Sequence, residues 1–177
     1  MRFTSRLPFA IYLGLAFASV ASLPTPPLAA QESAQQPPPA ALEQPAKMLP
    51  RAHAHNDYLH DRPLLDALAQ GFGSVEADIF LVDGELQVAH TRSELAPERT
   101  LQTLYLEPLK QRIAQHHGSV YGDGRTFTLL IDIKTDAEAT YRALHDLLAQ
   151  YNQILAHSDG AEERAGAVTA IVSGNRP

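Results

Sequence analysis

The chain of 177 residues contains no cysteine. Disulfides, thiolate metal sites, a cysteine nucleophile and a lipidated N-terminal cysteine are therefore excluded. Basic residues are also scarce: 14 Lys and Arg face 20 Asp and Glu, for a formal net charge of −6, and nowhere do Lys and Arg cluster. Binding to nucleic acid needs a basic stripe, so that class of partner is disfavoured. Downstream of the N-terminus no apolar run approaches the length of a membrane-spanning helix. What remains is an ordinary globular composition, 45% hydrophobic and 19% charged, unlike that of a disordered chain.

The first thirty residues read as a secretory signal peptide. Arg2 and Arg6 precede an apolar run from Leu7 to Ala21, and small residues follow at Ala18, Ser19, Ala21, Ala29 and Ala30. A basic start, a short apolar stretch and a small-residue exit predict cleavage, after Ala21 or Ala30. A membrane anchor is the alternative, but the run falls short of the ~20 apolar residues a span needs. Pro24, Pro26 and Pro27 follow it directly. The expected location is periplasmic or secreted. Residues 31–50 are rich in Pro, Gln and Ala, with three consecutive prolines at 37–39, and read as a disordered, extended linker. The folded unit is expected over residues 51–177, roughly 125 residues for a core.

From Arg51 onward the apolar spacing alternates between periods. Pro63–Gln70 has helical spacing with Gly71 as a stop, and Ser74–Val82 alternates as a strand. Asp83-Gly84 signals a tight turn, with a second extended piece from Glu85 to His90. Leu101–His117 reads as a helix with a break near Pro108. Phe127–Ile133 is a buried strand, Ala137–Ala156 a long helix, and Ala167–Val172 a further strand. Strands alternating with helices predict βαβ units and a mostly parallel sheet, in which functional side chains gather at the carboxyl ends of strands.

Several polar residues fall at such ends. Glu76 and Asp78, two apart on one strand, point to the same face, where two like charges repel unless a cation lies between them. A hard ion such as Mg²⁺ or Ca²⁺ would supply it; an isolated E-x-D is also what a solvent-facing strand edge looks like. Asp132 interrupts an otherwise apolar strand, and a buried carboxylate is paired or metal-bound. Lys134 shares its face, so an internal ion pair is the plain alternative. His53 and His55 precede a strand end and His90 closes another extended segment. A lone histidine there is usually a structural hydrogen-bonder, whereas three shift the reading toward a site.

The order H-x-H-N-D, E-x-D, a His fourteen residues after that Glu, then D-x-K resembles the glycerophosphodiester phosphodiesterase and phosphatidylinositol-specific phospholipase C superfamily. HAHNDY, GFGSVEADIFL, ELQVAH and LLIDIKT look most like its "altered inheritance of mitochondria" branch, and secondarily like sphingomyelinase D. The resemblance covers about residues 51–177. It implies a (β/α)₈ TIM barrel that cleaves phosphodiesters with one divalent cation and two histidines. Carried over, Glu76, Asp78 and Asp132 would be metal ligands, His90 the second catalytic histidine, and His55 or His53 the first. Lys134 and Asn56 would contact phosphate. The implied substrate is a small glycerophosphodiester or phospholipid, with a membrane surface as a further contact. Two other readings compete: an H-x-H amidohydrolase-type metal site, and an inactive barrel-derived envelope binding protein. A complete barrel usually takes ~250 residues, so about half of one is expected here.

Overall fold

A computed structural model describes residues 46–177 except Asp159 and Ala161. The expected leader, and the expected linker up to residue 45, lie outside the described residues. Four strands form a parallel sheet in chain order: β1 (Leu49–Ala54), β2 (Phe72–Val82), β4 (Phe127–Ile133) and β7 (Val168–Gly174). Between them run α1 (Leu65–Ala69), α2 (Glu107–Gln115) and α3 (Ala137–Ala149). A short strand, β3 (Glu85–Val88), returns antiparallel along β2. Among the described residues the two-residue strands β5 (His157–Ser158) and β6 (Glu163–Arg164) pair only with each other. The architecture is thus mixed α/β with a mainly parallel sheet, as the alternating periods predict. Among the described residues no helix is long and apolar enough to cross a membrane.

One face of the sheet makes the core. Val75, Ala77 and Ile79 of β2 and Leu129, Ile131 and Ile133 of β4 are fully or almost fully buried, packed in one cluster with Leu68, Leu106, Leu109 and Leu144. Burying each such side chain contributes roughly 1.5–3 kcal/mol. The opposite face carries the alternate residues. In-register rows run His53–Ser74, Ser74–Thr128–Thr169, then Glu76–Leu130–Ile171, then Asp78–Asp132–Ser173. The candidate carboxylates therefore occupy the polar face, in its last two rows before the carboxyl ends.

Three helix boundaries differ from the periodicity. Helix α1 starts at Leu65 because Leu64 adopts a left-handed φ of 63°, and the Asp57 carboxylate holds the Leu64 N–H. The break near Pro108 is a π-helical turn over Gln102–Leu106, in which Glu107 N–H reaches back five residues to Gln102 O. Proline removes a donor and crowds the carbonyl four residues earlier, so the chain widens before entering α2. Helix α3, capped by the Asp136 side chain on Ala139 N, stops at Ala149 rather than Ala156. Residues 154–156 instead lie beside the start of β7: Val168 N–H donates to Ile154 O and Ala156 N–H to Val168 O.

Beyond that bridge the outer edge of β7 has no strand partner among the described residues, and Ile171 is 47% exposed. An unpaired, β-branched edge without charge templates association. The purified chain is expected to self-associate with rising concentration in sedimentation velocity. Ile171→Lys, which places a charge on that edge, should shift the distribution toward monomer. A monodisperse monomer that the substitution leaves unchanged would contradict this reading of the edge.

Candidate active site

The site forms in a gap along one edge of β2. Strand β4 occupies one edge; β1 pairs with the start of β2, ending with Ala54 opposite Val75, and β3 pairs with its far end, Val88 opposite Ile79. Glu76 and Asp78 lie between the two. The turn leaving β1 brings in His55, Asn56 and Tyr58, and the loop leaving β3 brings in His90, anchored by Ala89 N–H on Asp78 O. The Asp83-Gly84 hairpin, with φ of 49° and 87°, folds β3 back so that His90 arrives there.

The carboxylates are buried, with Glu76 9% and Asp78 1% exposed, because β2 is a central strand and not an edge. Each has polar company. The Lys134 ammonium lies 3.1 Å from Asp78 Oδ2 and 2.5 Å from Asp132 Oδ2. Ser173 Oγ donates to Asp132 Oδ1 at 2.6 Å. Glu76 Oε2 accepts from Asn56 N–H at 3.0 Å and lies 3.4 Å from His55 Nε2. Tyr58 Oη lies 2.6 Å from Asp78 Oδ2, 2.8 Å from Asn56 Oδ1 and 3.1 Å from His90 Nδ1. The Tyr58 and His90 rings stack, with centroids 6.3 Å apart. His90 Nδ1 is also 3.7 Å from Asp78 Oδ2.

These contacts move the titrations. Burial and the Asp78 hydrogen bond push the Tyr58 phenol well above the ordinary tyrosine range, with the charges of Asp78, Glu76 and Asp132 adding to the shift. Burial alone would raise Asp132, but the hydrogen bonds from Lys134 and Ser173 outweigh it and hold the carboxyl low. Burial likewise opposes the Lys134 ammonium, and its bonds to Asp132 and Asp78 more than compensate. Lys134 thus bridges Asp78 and Asp132 and does not reach Glu76, whose partners are Asn56 N–H and His55.

The candidate residues do not all meet. His53 bonds Ser74 Oγ at 2.8 Å, one row below Glu76. His55, 72% exposed, and His90, 50% exposed, reach the carboxylates. Lys134 is engaged by two aspartates, and the Asn56 backbone by Glu76. Among the described residues no three His, Asp or Glu side chains stand as a ready ligand set for a metal. One feature favours a cation nonetheless: among the described residues Asp78 Oδ1 is buried without a hydrogen-bond partner. A carboxylate oxygen orphaned beside two further carboxylates is suited to a hard, oxygen-seeking ion. A cleft of about 380 Å³ opens beside His90, lined by Tyr58, His60, Asp61, Glu94 and Arg99 among others. A larger one, about 470 Å³, lies between α3 and β7 and contains none of the candidate residues.

Comparison with known proteins agrees with the residue pattern. The profile of the AIM6-like phosphodiesterase domain matches residues 46–177. The chain belongs to this family. "Altered inheritance of mitochondria protein 6" of Eremothecium gossypii is 35% identical over 156 residues, covering 78% of this chain and 40% of that protein. The protein of the same name from Lachancea thermotolerans is 34% identical, covering 77% and 36%, and a homologue from Arthroderma benhamiae is 34% identical, covering 71% and 47%. The chain thus spans less than half the length of the curated relatives it matches. No solved structure matches it significantly.

Sequence reasoning missed Tyr58, Asp57, Tyr105 and Ser173. Asp57 is fully buried; its Oδ2 accepts from Leu64 N–H at 2.5 Å and from the Tyr105 hydroxyl at 2.9 Å. Burial raises its carboxyl above the ordinary range, against the pull of those two bonds. This knot sets the path of the turn that carries His55, Asn56 and Tyr58. Asp57→Ala leaves the buried Leu64 N–H unpartnered and the Tyr105 hydroxyl with only a long 3.5 Å contact to Glu76 O. At about 1–3 kcal/mol for the lost partner of Leu64 and less for Tyr105, the substitution should lower the urea-unfolding free energy by about 2–4 kcal/mol, with a smaller loss for Asp57→Asn, which keeps an acceptor. Equal stability of Asp57→Ala and wild type would show that the knot carries no weight.

Proposed function

We propose that the chain is the N-terminal part of a (β/α)₈-barrel phosphodiesterase, exported from the cytoplasm, that hydrolyses glycerophosphodiester or phospholipid-type substrates with a divalent cation and two histidines. The observation that carries it is that His55 and His90, leaving different strands, both approach the buried Glu76–Asp78 pair, with Asp132 in register beside Asp78. The family match supports the phosphodiesterase class.

The chemistry suits the residues. A phosphodiester is an anion that resists attack by another oxygen, and a bound Mg²⁺ or Ca²⁺ would neutralise its non-bridging oxygens. Glu76, Asp78 and Asp132 would hold that ion. One imidazole takes the proton of the attacking hydroxyl or water, and the other gives a proton to the departing alkoxide. His55 and His90 are exposed enough to meet substrate, and each lies beside a carboxylate, Glu76 and Asp78 respectively. The third N–H of Lys134 and the part of the Asn56 amide not bonded to Tyr58 are the groups left to contact phosphate. The cleft beside His90 would take the leaving group. His53, bonded to Ser74, has no place in this scheme, and its separation from His55's partner Glu76 also argues against the amidohydrolase pattern, in which both histidines bind one metal.

The test is hydrolysis of bis(p-nitrophenyl) phosphate and glycerophosphodiesters by the purified protein, with and without chelator. His90→Ala and His55→Ala should each lower turnover by about 10²–10⁴, the range for losing an acid–base group, and EDTA should abolish it. His53→Ala should keep wild-type turnover. Absence of any cation-dependent hydrolysis would favour a binding protein built on the same scaffold, and unaffected turnover in His90→Ala would remove it from the mechanism.

A further inference from the structure

We propose that Tyr58 is a positioning residue: its hydroxyl fixes His90 in the Nδ1–H tautomer, so that the Nε2 lone pair is what the imidazole offers to its reaction partner. The inference rests on the proposed function only for its kinetic consequence; the tautomer itself follows from the geometry. Tyr58 Oη meets three groups, Asp78 Oδ2 at 2.6 Å, Asn56 Oδ1 at 2.8 Å and His90 Nδ1 at 3.1 Å. A phenol has one proton to give and two lone pairs with which to accept. Asp78 is the nearest of the three and the charged one, and charge-assisted bonds are the stronger, so the proton goes there. The short 2.6 Å separation and the charge of the acceptor fix the direction of that bond.

With that proton committed, Tyr58 Oη can only accept. His90 Nδ1 must then be the donor, which leaves Nε2 unprotonated in the neutral ring. The Asn56 amide completes the count when turned about its last torsion, with its NH₂ toward the phenol; oxygen and nitrogen differ little in shape. His90 Nδ1–H also lies 3.7 Å from Asp78 Oδ2, so the carboxylate acts on the histidine both directly and through the tyrosine. Ring stacking holds the imidazole plane, and Arg99 Nη2 donates to Tyr58 O at 2.6 Å, holding the tyrosine backbone. The arrangement has the logic of a carboxylate that orients a histidine through its far nitrogen, with a phenol inserted between them.

Long-range ¹H–¹⁵N correlation spectra of the full chain, metal-free in mildly alkaline buffer, read the tautomer directly, with the His90 signals assigned by their absence from His90→Gln. Wild type should show His90 as Nδ1–H. Tyr58→Phe keeps the ring and its stacking but removes the acceptor, and should shift His90 toward Nε2–H. In steady-state kinetics Tyr58→Phe should lower kcat by about 10–100-fold, the usual cost of losing an orienting partner, with KM nearly unchanged. An Nε2–H tautomer in wild type overturns the proposal even if the variant fails to fold. So does an unshifted tautomer, or an unchanged kcat, in Tyr58→Phe. The expected tautomer shift in a chain with no cation-dependent turnover would uphold the role of Tyr58 and count against the phosphodiesterase reading alone.

Discussion

Three carboxylates set close together on the polar face of two neighbouring strands, two of them on a central strand, form an arrangement that cannot exist uncompensated. In a poorly solvated environment like charges either take up protons or acquire cations. Here the compensation comes from unlike sources: the Lys134 ammonium between Asp78 and Asp132, the Tyr58 hydroxyl on Asp78, the Ser173 hydroxyl on Asp132, and the Asn56 N–H with His55 on Glu76. The rest of the site consists of the chain segments that must be routed past β2 to deliver these groups. The buried Asp57–Leu64–Tyr105 knot is one such routing device, and its position just behind the turn explains why an ionisable group is tolerated there.

The interrupted edge of β2 opens the carboxylates to the turns that carry the histidines. Were β1 to continue along β2, its backbone would close off Glu76 and Asp78. By ending at Ala54 it leaves room for a polar turn, and the antiparallel β3 comes down from above to bring His90 beside the same residues. Gly174 contributes a small requirement of its own at the far side: its φ of 73° and the approach of Ile133 and Asp132 leave no space for a Cβ. A side chain there would press on the oxygen of Asp132 that Ser173 holds.

Much of this was legible in the sequence because it is written in short periods. Alternation in Ser74–Val82 and the apolar run Phe127–Ile133 place Glu76, Asp78 and Asp132 on known faces, and Asp83-Gly84 fixes the return of β3. Whether a carboxylate on such a face is buried depends on which strands flank it, and E-x-D alone does not say; β2 became central only once β1 and β4 were paired with it. The choice between His53 and His55 was equally closed to spacing, since both share a face; the register sets His53 opposite Ser74, whereas His55 lies beside Glu76. Tyr105 was illegible for a different reason. A π-helical turn shifts every following residue around the helix, so a pattern read at 3.6 residues per turn misplaces it. Tyr58 stood in plain sight within HAHNDY, but nothing in a string of polar residues reveals that one phenol faces a carboxylate and a histidine together.

The central proposal is that Glu76 and Asp78 of β2 and Asp132 of β4 would hold one hard divalent cation, with Lys134 and Tyr58 as their partners in the metal-free chain. Electron paramagnetic resonance of Mn²⁺, which shares the oxygen preference of Mg²⁺, counts bound ions directly on the purified chain and needs no substrate. The account predicts one bound Mn²⁺ per chain, displaced by excess Mg²⁺ or Ca²⁺ and lost in Asp78→Asn. Mn²⁺ that stays free in the wild-type sample, or binds equally well to Asp78→Asn, would contradict it.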